Sequence, residues 1–311
     1  MFAVRYRKLS FIITGCLLLG SVLALLIIPP QLSIEFTGGS LMQVAYEGER
    51  PSRDVVHERI DSLGFGEPSV RESDDNSITI RTRTLEEGER TLLLSALSAD
   101  GADPLTELRF NSIGPSLGSE LAIKALYAIA GVIVAIVLYI AWAFRQVSRP
   151  VSSWVYGLVV AGLLVHDVLI AAGFYAVFAF FTGAQIDTLF VVAILAILGY
   201  SVNDTIVICD RVRERLGINA AREDEGEAEE PFEEVVGVSV QETLGRSINT
   251  SVTTGLALLA LVIFGGAVTF NFALLLLVGV FVGAYSSILV AAPMLIPLAK
   301  KFARSAKPET T

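Results

Sequence analysis

Residues 186–209 read IDTLFVVAILAILGYSVNDTIVIC, and this stretch decides the fold. About twenty apolar residues suffice to cross the hydrocarbon of a bilayer, and this run meets that length while carrying Asp204 among Ser201, Asn203 and Thr205. An acid inside a span costs about 2.5–3.5 kcal/mol on insertion scales, so it is retained where it faces a cavity or a partner and marks an ion or proton path. Reading outward from this block finds five more runs of the same kind, at residues 9–28, 121–144, 151–181, 248–264 and 270–298. The third and sixth are longer than the minimum and are expected to tilt or project.

Composition agrees. The chain has 311 residues, 53% of them hydrophobic and 18% charged, an apolar share above the roughly 45–50% of soluble domains. A soluble enzyme is excluded. A net charge of -9 excludes nucleic acid as a partner, because phosphate neutralisation needs clustered Lys and Arg. Two cysteines, Cys16 and Cys209, are too few for a disulfide framework or a cysteine metal site. Short basic loops stay in the cytoplasm. Arg5, Arg7 and Lys8 precede the first span, Arg145 and Arg149 separate the second and third, Arg211, Arg213 and Arg215 follow the fourth, and Lys300, Lys301 and Arg304 follow the sixth. Both termini are therefore expected to be cytoplasmic. Ile13-Thr14-Gly15-Cys16 resembles a lipoprotein cleavage box, but the apolar run continues well past Cys16, so the first span is read as an uncleaved anchor.

The domain plan that follows is a cytoplasmic start and first span over 1–28, an extracytoplasmic domain over 29–120, spans two to four over 121–209, a cytoplasmic acidic loop over 210–245, spans five and six over 246–298, and a cytoplasmic tail over 299–311. Within 29–120 the pattern predicts strand 41–46, helix 51–63, strand 68–72, strand 77–82, helix 85–97 and strand 106–112, with Asp74-Asp75-Asn76 as hairpin turn. The order βαββαβ is that of a ferredoxin-like split sandwich. This domain has 17 acidic and 8 basic residues, read as solubility, with contact to basic or unfolded chains as the sharper alternative. Residues 223–234 hold eight acids and read as a solvated, flexible loop.

Among the intramembrane acids, Asp204 stands first, Asp167 beside His166 lies mid-span, and Asp187 is expected at the interface. Arg246, just before the fifth run, is the candidate counter-ion of Asp204. Separating the two would let the carboxylate take a proton and rejoining them would release it, while a static ion pair is the equal alternative. Asn249, Thr250, Ser251, Thr253 and Thr254 read as path lining or as interhelical hydrogen-bond glue, with glue favoured for most. Gly279 and Gly283, with Ser286 and Ser287 one turn on, predict close helix packing. His57 is expected at the surface, and His166 to pack, with proton assistance second. No nucleophilic triad, nucleotide loop or His-rich metal spacing is present, so neither catalytic residues nor a metal or cofactor is expected.

Several stretches together resemble the SecF branch of the SecD/SecF protein-export family, within the resistance-nodulation-division superfamily. They are Glu35-Phe36-Thr37-Gly38-Gly39, Gly114-Pro115-Ser116-Leu117-Gly118, His166-Asp167, Gly199 through Val207 running into Asp210-Arg211-Val212-Arg213-Glu214, Arg246 through Thr254, Phe264-Gly265-Gly266 and Gly283 through Ser287. Glu35 stands where that family usually has Asp, Cys209 where an aromatic is common, and Gly245-Arg246-Ser247 for a frequent Ser-Arg-Thr. The resemblance implies a six-span subunit that joins SecD, works beside the SecYEG channel after the SecA ATPase, and draws unfolded secretory proteins across the cytoplasmic membrane with protons, or else sodium, as coupling ion. It implies coupling roles for Asp204 and Arg246 with Asp167 as a helper, Asn203, Thr205, Asn249, Thr250 and Ser251 as polar support, and Phe36, Gly38, Gly39, Gly114 and Gly118 as motif residues in hinges at 29–39 and 111–120. Set against it are a half-sized exporter of lipid or small molecules, a non-transporting scaffold and an intramembrane protease.

Overall fold

The computed structural model describes residues 2–73, 76–145, 153–224, 228 and 230–305. Asp74, Asp75, Arg149 and part of the acidic block lie outside them. In chain order the elements are α1 (Phe2–Arg5), α2 (Arg7–Ile27), α3 (Ile34–Thr37), β1 (Gly39–Tyr46), α4 (Arg53–Asp61), β2 (Ser69–Ser73), β3 (Ser77–Thr82), α5 (Glu87–Leu97), β4 (Leu105–Ile113), α6 (Pro115–Ala143), α7 (Ser153–Thr182), α8 (Thr188–Asp224), α9 (Phe232–Phe264), α10 (Ala267–Ser286), a π-helical segment (Ser287–Ala291) and α11 (Ala292–Ser305). The chain divides into two compact units, one of Leu32–Leu126 with Gln185–Thr188, the other of the remaining segments.

In the first unit, side chains alternate along β1 so that Met42, Val44 and Tyr46 point to one face. Ile78 and Ile80 of β3 and Val70 of β2 join them, and Val56, Ile60, Leu93 and Leu97 of α4 and α5 close the core. All strand pairs are antiparallel, in the order β2-β3-β1-β4. That order is what two interleaved split βαβ units produce, and the six predicted elements all form. Asn76 adopts φ 58° and its amide donates to the carbonyls of Tyr46 and Gly48 at 2.8 and 2.6 Å, which is Asn turn chemistry. Helix α5 opens with a capping box between Glu86 and Glu89. Arg83 beside Glu89 holds that carboxyl down at about 2. His57 pairs with Asp61 on the surface.

Residues 111–120, offered by the sequence as a hinge, are strand to Ile113 and helix from Pro115, leaving Gly114 alone between. The neighbouring glycines serve close approach. A Cβ on Gly118 would lie 2.6 Å from the Gly38 nitrogen, and one on Gly38, where φ is 74°, would lie 2.7 Å from Pro115 Cα.

The second unit is helical, and among the described residues of the chain six helices are long and apolar enough to cross a membrane, each carrying one predicted run. The apolar length of α2, like that of α6, is left unburied by this chain, and α2 makes a smaller contact to the π-helical segment and packs chiefly against α7. There a Cβ on Gly173 would lie 2.4 Å from Ser21 Cβ and 2.6 Å from Ser21 Cα. Gly173→Ala is therefore expected to lever α2 off α7 and to lower stability by about 1–3 kcal/mol, read as an earlier midpoint in detergent unfolding. Ser21→Gly should restore only part of it, since the clash with backbone remains.

The acidic connection differs from the expectation of a loop over 210–245. With 37 residues, α8 is roughly 55 Å long against a hydrocarbon thickness of about 30 Å, so it continues as helix to Asp224, and α9 is helical from Phe232. Ion pairs between α8 and the acids that follow it offset part of the negative charge there. Arg211 and Arg215 converge on Glu242, each with an N···O distance of 2.6 Å, and Arg222 meets Glu230 at 3.0 Å. Asn219 exchanges two hydrogen bonds with the Glu230 backbone. Ile208, Val212, Val236 and Val240 pack beneath them.

Candidate functional site

The polar residues of the apolar helices converge on one level of the helical unit. Helix α7 contributes His166 and Asp167, with Asp167 completely buried. Helix α8 contributes Ser201, Asp204 and Thr205, which at spacings of three and four share one face. From α10 come Tyr285 and Ser286. Asp167 Oδ1 accepts from His166 Nδ1 at 2.8 Å, and Oδ2 accepts from Ser286 at 3.0 Å and from the Ser201 hydroxyl. A carboxylate on Nδ1 fixes the proton there, leaving Nε2 to accept from the Tyr285 hydroxyl at 3.0 Å. Three helices are thus tied to one carboxylate whose acceptors are well supplied.

Small residues make the approach possible. A Cβ on Gly283 would lie 3.1 Å from Ser201 Cβ, and one on Gly279 2.3 Å from Ile197 Cδ1, so the glycine pair of the last span packs against residues 197 and 201 of α8. The π-helical segment begins at Ser287. Ser286 and Ser287 are consecutive yet reach different partners, Asp167 and, at 2.8 Å, the Thr205 hydroxyl. Such π segments cluster at functional sites.

Asp204 is different. It is 4% exposed, and among the described residues its Oδ2 is buried without a hydrogen-bond partner, as is the Ser247 hydroxyl. Arg246 and Ser247 are the neighbours that act on the carboxylate, although Ser247 falls short of hydrogen-bond geometry. Among the described residues no ion pair joins Asp204 to Arg246, whose side chain is exposed. The expected counter-ion is therefore nearby and separated. An unfilled carboxylate oxygen in an apolar interior is a costly vacancy for an anion and a natural seat for a proton.

The remaining candidates sort by partner. Thr205 is buried and donates to the Ser201 carbonyl at 3.1 Å. Ser251 bonds across helices to the Tyr200 hydroxyl at 3.3 Å. Thr250 donates to the Arg246 carbonyl of its own helix at 2.8 Å, so this hydrogen bond is not interhelical. Asn203 and Asn249 are exposed at the surface of this chain. Asp187 sits, half-buried, in the turn before α8. Ser247 and Tyr285 were missed as site members by sequence reasoning. A signal existed for Ser247, since Ser239, Thr243, Ser247, Ser251 and Gly255 recur every fourth residue on the buried side of α9. No group of metal-ligating side chains occurs among the described residues.

In a family comparison, residues 95–301 match the model of the C-terminal part of protein export membrane protein SecD/SecF, and residues 23–49 match the SecD/SecF GG motif. Protein translocase subunit SecF of Anaerolinea thermophila is 34% identical over 292 residues, covering 93% of this chain and 91% of that relative. The subunit of the same name from Sebaldella termitidis is 35% identical over 311 residues, covering 98% and 94%. Among solved structures, SecDF of Thermus thermophilus, described as a translocon-associated membrane protein, superposes with a TM-score of 0.77 at 30% identity. It covers 95% of this chain, which in turn spans 38% of that longer one.

Proposed function

We infer the work of this chain from its family: it belongs to the SecD/SecF protein export membrane proteins, as a SecF-type, multi-pass translocase subunit, a transport protein rather than an enzyme. Our reading is that it pairs with SecD beside the SecYEG channel in the bacterial cytoplasmic membrane. There it uses a proton gradient to draw unfolded secretory proteins outward after SecA has pushed them in.

Asp204 is the proton carrier in this reading, and one observation carries it: a buried carboxylate oxygen without a donor among the described residues, on one of the three helices that the hydrogen bonds of Asp167 hold together. Arg246 is the cation that Asp204 approaches and leaves. Asp167 serves by fixing α8 one turn away through Ser201. The partner face is supported by Asn203, Arg246 and Asn249, which are exposed on apolar helices; polar groups facing lipid are costly, and a second six-span subunit would cover them. Basic residues at one end of the spans support cytoplasmic termini.

The test is translocation into inverted vesicles under an imposed proton gradient, comparing wild type with Asp204→Asn at equal assembly with SecD. Loss of the gradient-stimulated part alone supports the reading. An unchanged stimulation removes Asp204 from coupling and leaves a scaffold. A stimulation that follows a sodium gradient instead would identify the other ion.

A further inference from the structure

Glu35 lies in the short helix α3, far in sequence from the start of α8, yet its Oε2 accepts from the Thr188 backbone N–H at 2.7 Å. Thr188 is the first residue of α8. Its N–H is one of those a helix leaves without an internal partner, and a carboxylate there acts as a cap and complements the helix dipole. The contact is not isolated. The Ser33 N–H donates to the Ile186 carbonyl at 2.8 Å, Leu32 and Ile186 form a parallel β-bridge, and Arg81 of β3 donates to the Leu32 carbonyl at 3.2 Å. Ser33 also caps α3, its hydroxyl accepting from the Glu35 N–H at 3.2 Å.

All of these residues belong to the compact α+β unit, which so includes residues 185–188 as well as 32–126. Two segments distant in sequence are clasped there. On one side the clasp runs through Gly38 and Gly39 into β1, with Gly38 in contact range of Pro115 and Gly118 at the start of α6. On the other it runs without interruption into α8, the helix of Ser201 and Asp204. Asp204 lies sixteen residues beyond Thr188 along one helix; a flexible chain of that length would not carry a displacement, but a continuous hydrogen-bonded helix carries it along its axis. Reach matters at this position. It is the terminal carboxylate oxygen of the full-length glutamate side chain that makes the contact.

We propose that Glu35 is a positioning residue for coupling: by capping α8 at Thr188 it fixes the end of the helix that carries Asp204 to the α+β domain, so that movement of either is delivered to the other. The proposal rests on the proton-carrier reading of Asp204.

The full chain assembled with SecD is compared as wild type, Glu35→Ala, Glu35→Gln and, as control, Asp204→Asn. In Glu35→Ala the Thr188 amide is expected to exchange its hydrogen roughly two- to thirtyfold faster, the range of a lost N-cap. The gradient-stimulated part of translocation should fall toward the Asp204→Asn level while ATP-driven insertion and assembly hold. Glu35→Gln, whose amide oxygen still accepts, should restore both readouts most of the way. If exchange quickens in Glu35→Ala but gradient stimulation is intact, or if both parts of translocation fall together with assembly, the contact is only structural and the proposal is overturned. If Thr188 exchange does not change, the cap is not made and the proposal is equally overturned. Gradient stimulation that survives in Asp204→Asn would instead overturn the carrier reading, a separate failure visible in the control.

Discussion

Asp204→Asn is expected to remove the proton-driven part of translocation while leaving assembly and ATP-driven insertion in place. Asparagine keeps the size and one acceptor oxygen of the side chain and removes its titration. Since Oδ2 has no partner to lose among the described residues, the substitution should cost little stability, and its effect falls on coupling. The size of that effect is bounded: one charge moved across 100 mV is worth about 2.3 kcal/mol, a factor of about 50 in an equilibrium, and a chain without a titrating group at this position forfeits that factor. Translocation into inverted vesicles with and without the gradient measures the ratio directly. Asp204→Glu, which keeps the titrating group but lengthens it, should retain part of the stimulation.

Much of this was legible in the sequence because the signals were local and strong. Apolar runs of span length, alternation along β1 and β3, and the Asn turn each depend on neighbours a few residues away, and all six strands and helices of the α+β domain form where they were expected. Gly279 and Gly283 announced close packing by spacing alone, although their partners Ile197 and Ser201 could only be read from the fold. The bounds of the 210–245 connection were not legible, because composition reports its acids but not that α8 and α9 run on into its two ends, where arginines of α8 pair with Glu230 and Glu242. The site was half legible. An acid within a span is conspicuous, so Asp204 and Asp167 were found, but whether an acid is satisfied or not depends on donors brought from distant helices. Ser286 and Tyr285 are 119 residues from their partners Asp167 and His166. The same distance hid the Glu35 clasp, in which a residue before β1 caps a helix 153 positions later.

Asp167→Ala is expected to produce the larger loss of stability. It removes the acceptor of three hydrogen bonds at a fully buried position and leaves the His166 Nδ1–H and the hydroxyls of Ser201 and Ser286 to find others. Interhelical hydrogen bonds in membranes average about 0.6 kcal/mol, with a maximum near 1.7, so the two from Ser201 and Ser286, the one from His166 within α7 and a small cavity together amount to about 2–4 kcal/mol. The measured consequence should be a lower unfolding midpoint in detergent and less assembled complex. Asp167→Asn separates this from coupling. Its volume is unchanged, the two serine hydroxyls can rotate to accept from the new amide, and the loss should shrink to about 1–2 kcal/mol. Per assembled complex, Asp167→Asn should therefore keep the gradient-stimulated part that Asp204→Asn loses. The difference follows from where the donors are: Asp167 already holds three and has the work of an anchor, whereas Asp204, one helical turn from the serine that Asp167 fixes, has an oxygen left over. A fully assembled Asp167→Asn complex that had lost gradient stimulation would reverse these assignments, placing the mobile proton on the His166–Asp167 pair and reducing Asp204 to a bystander in the same helix.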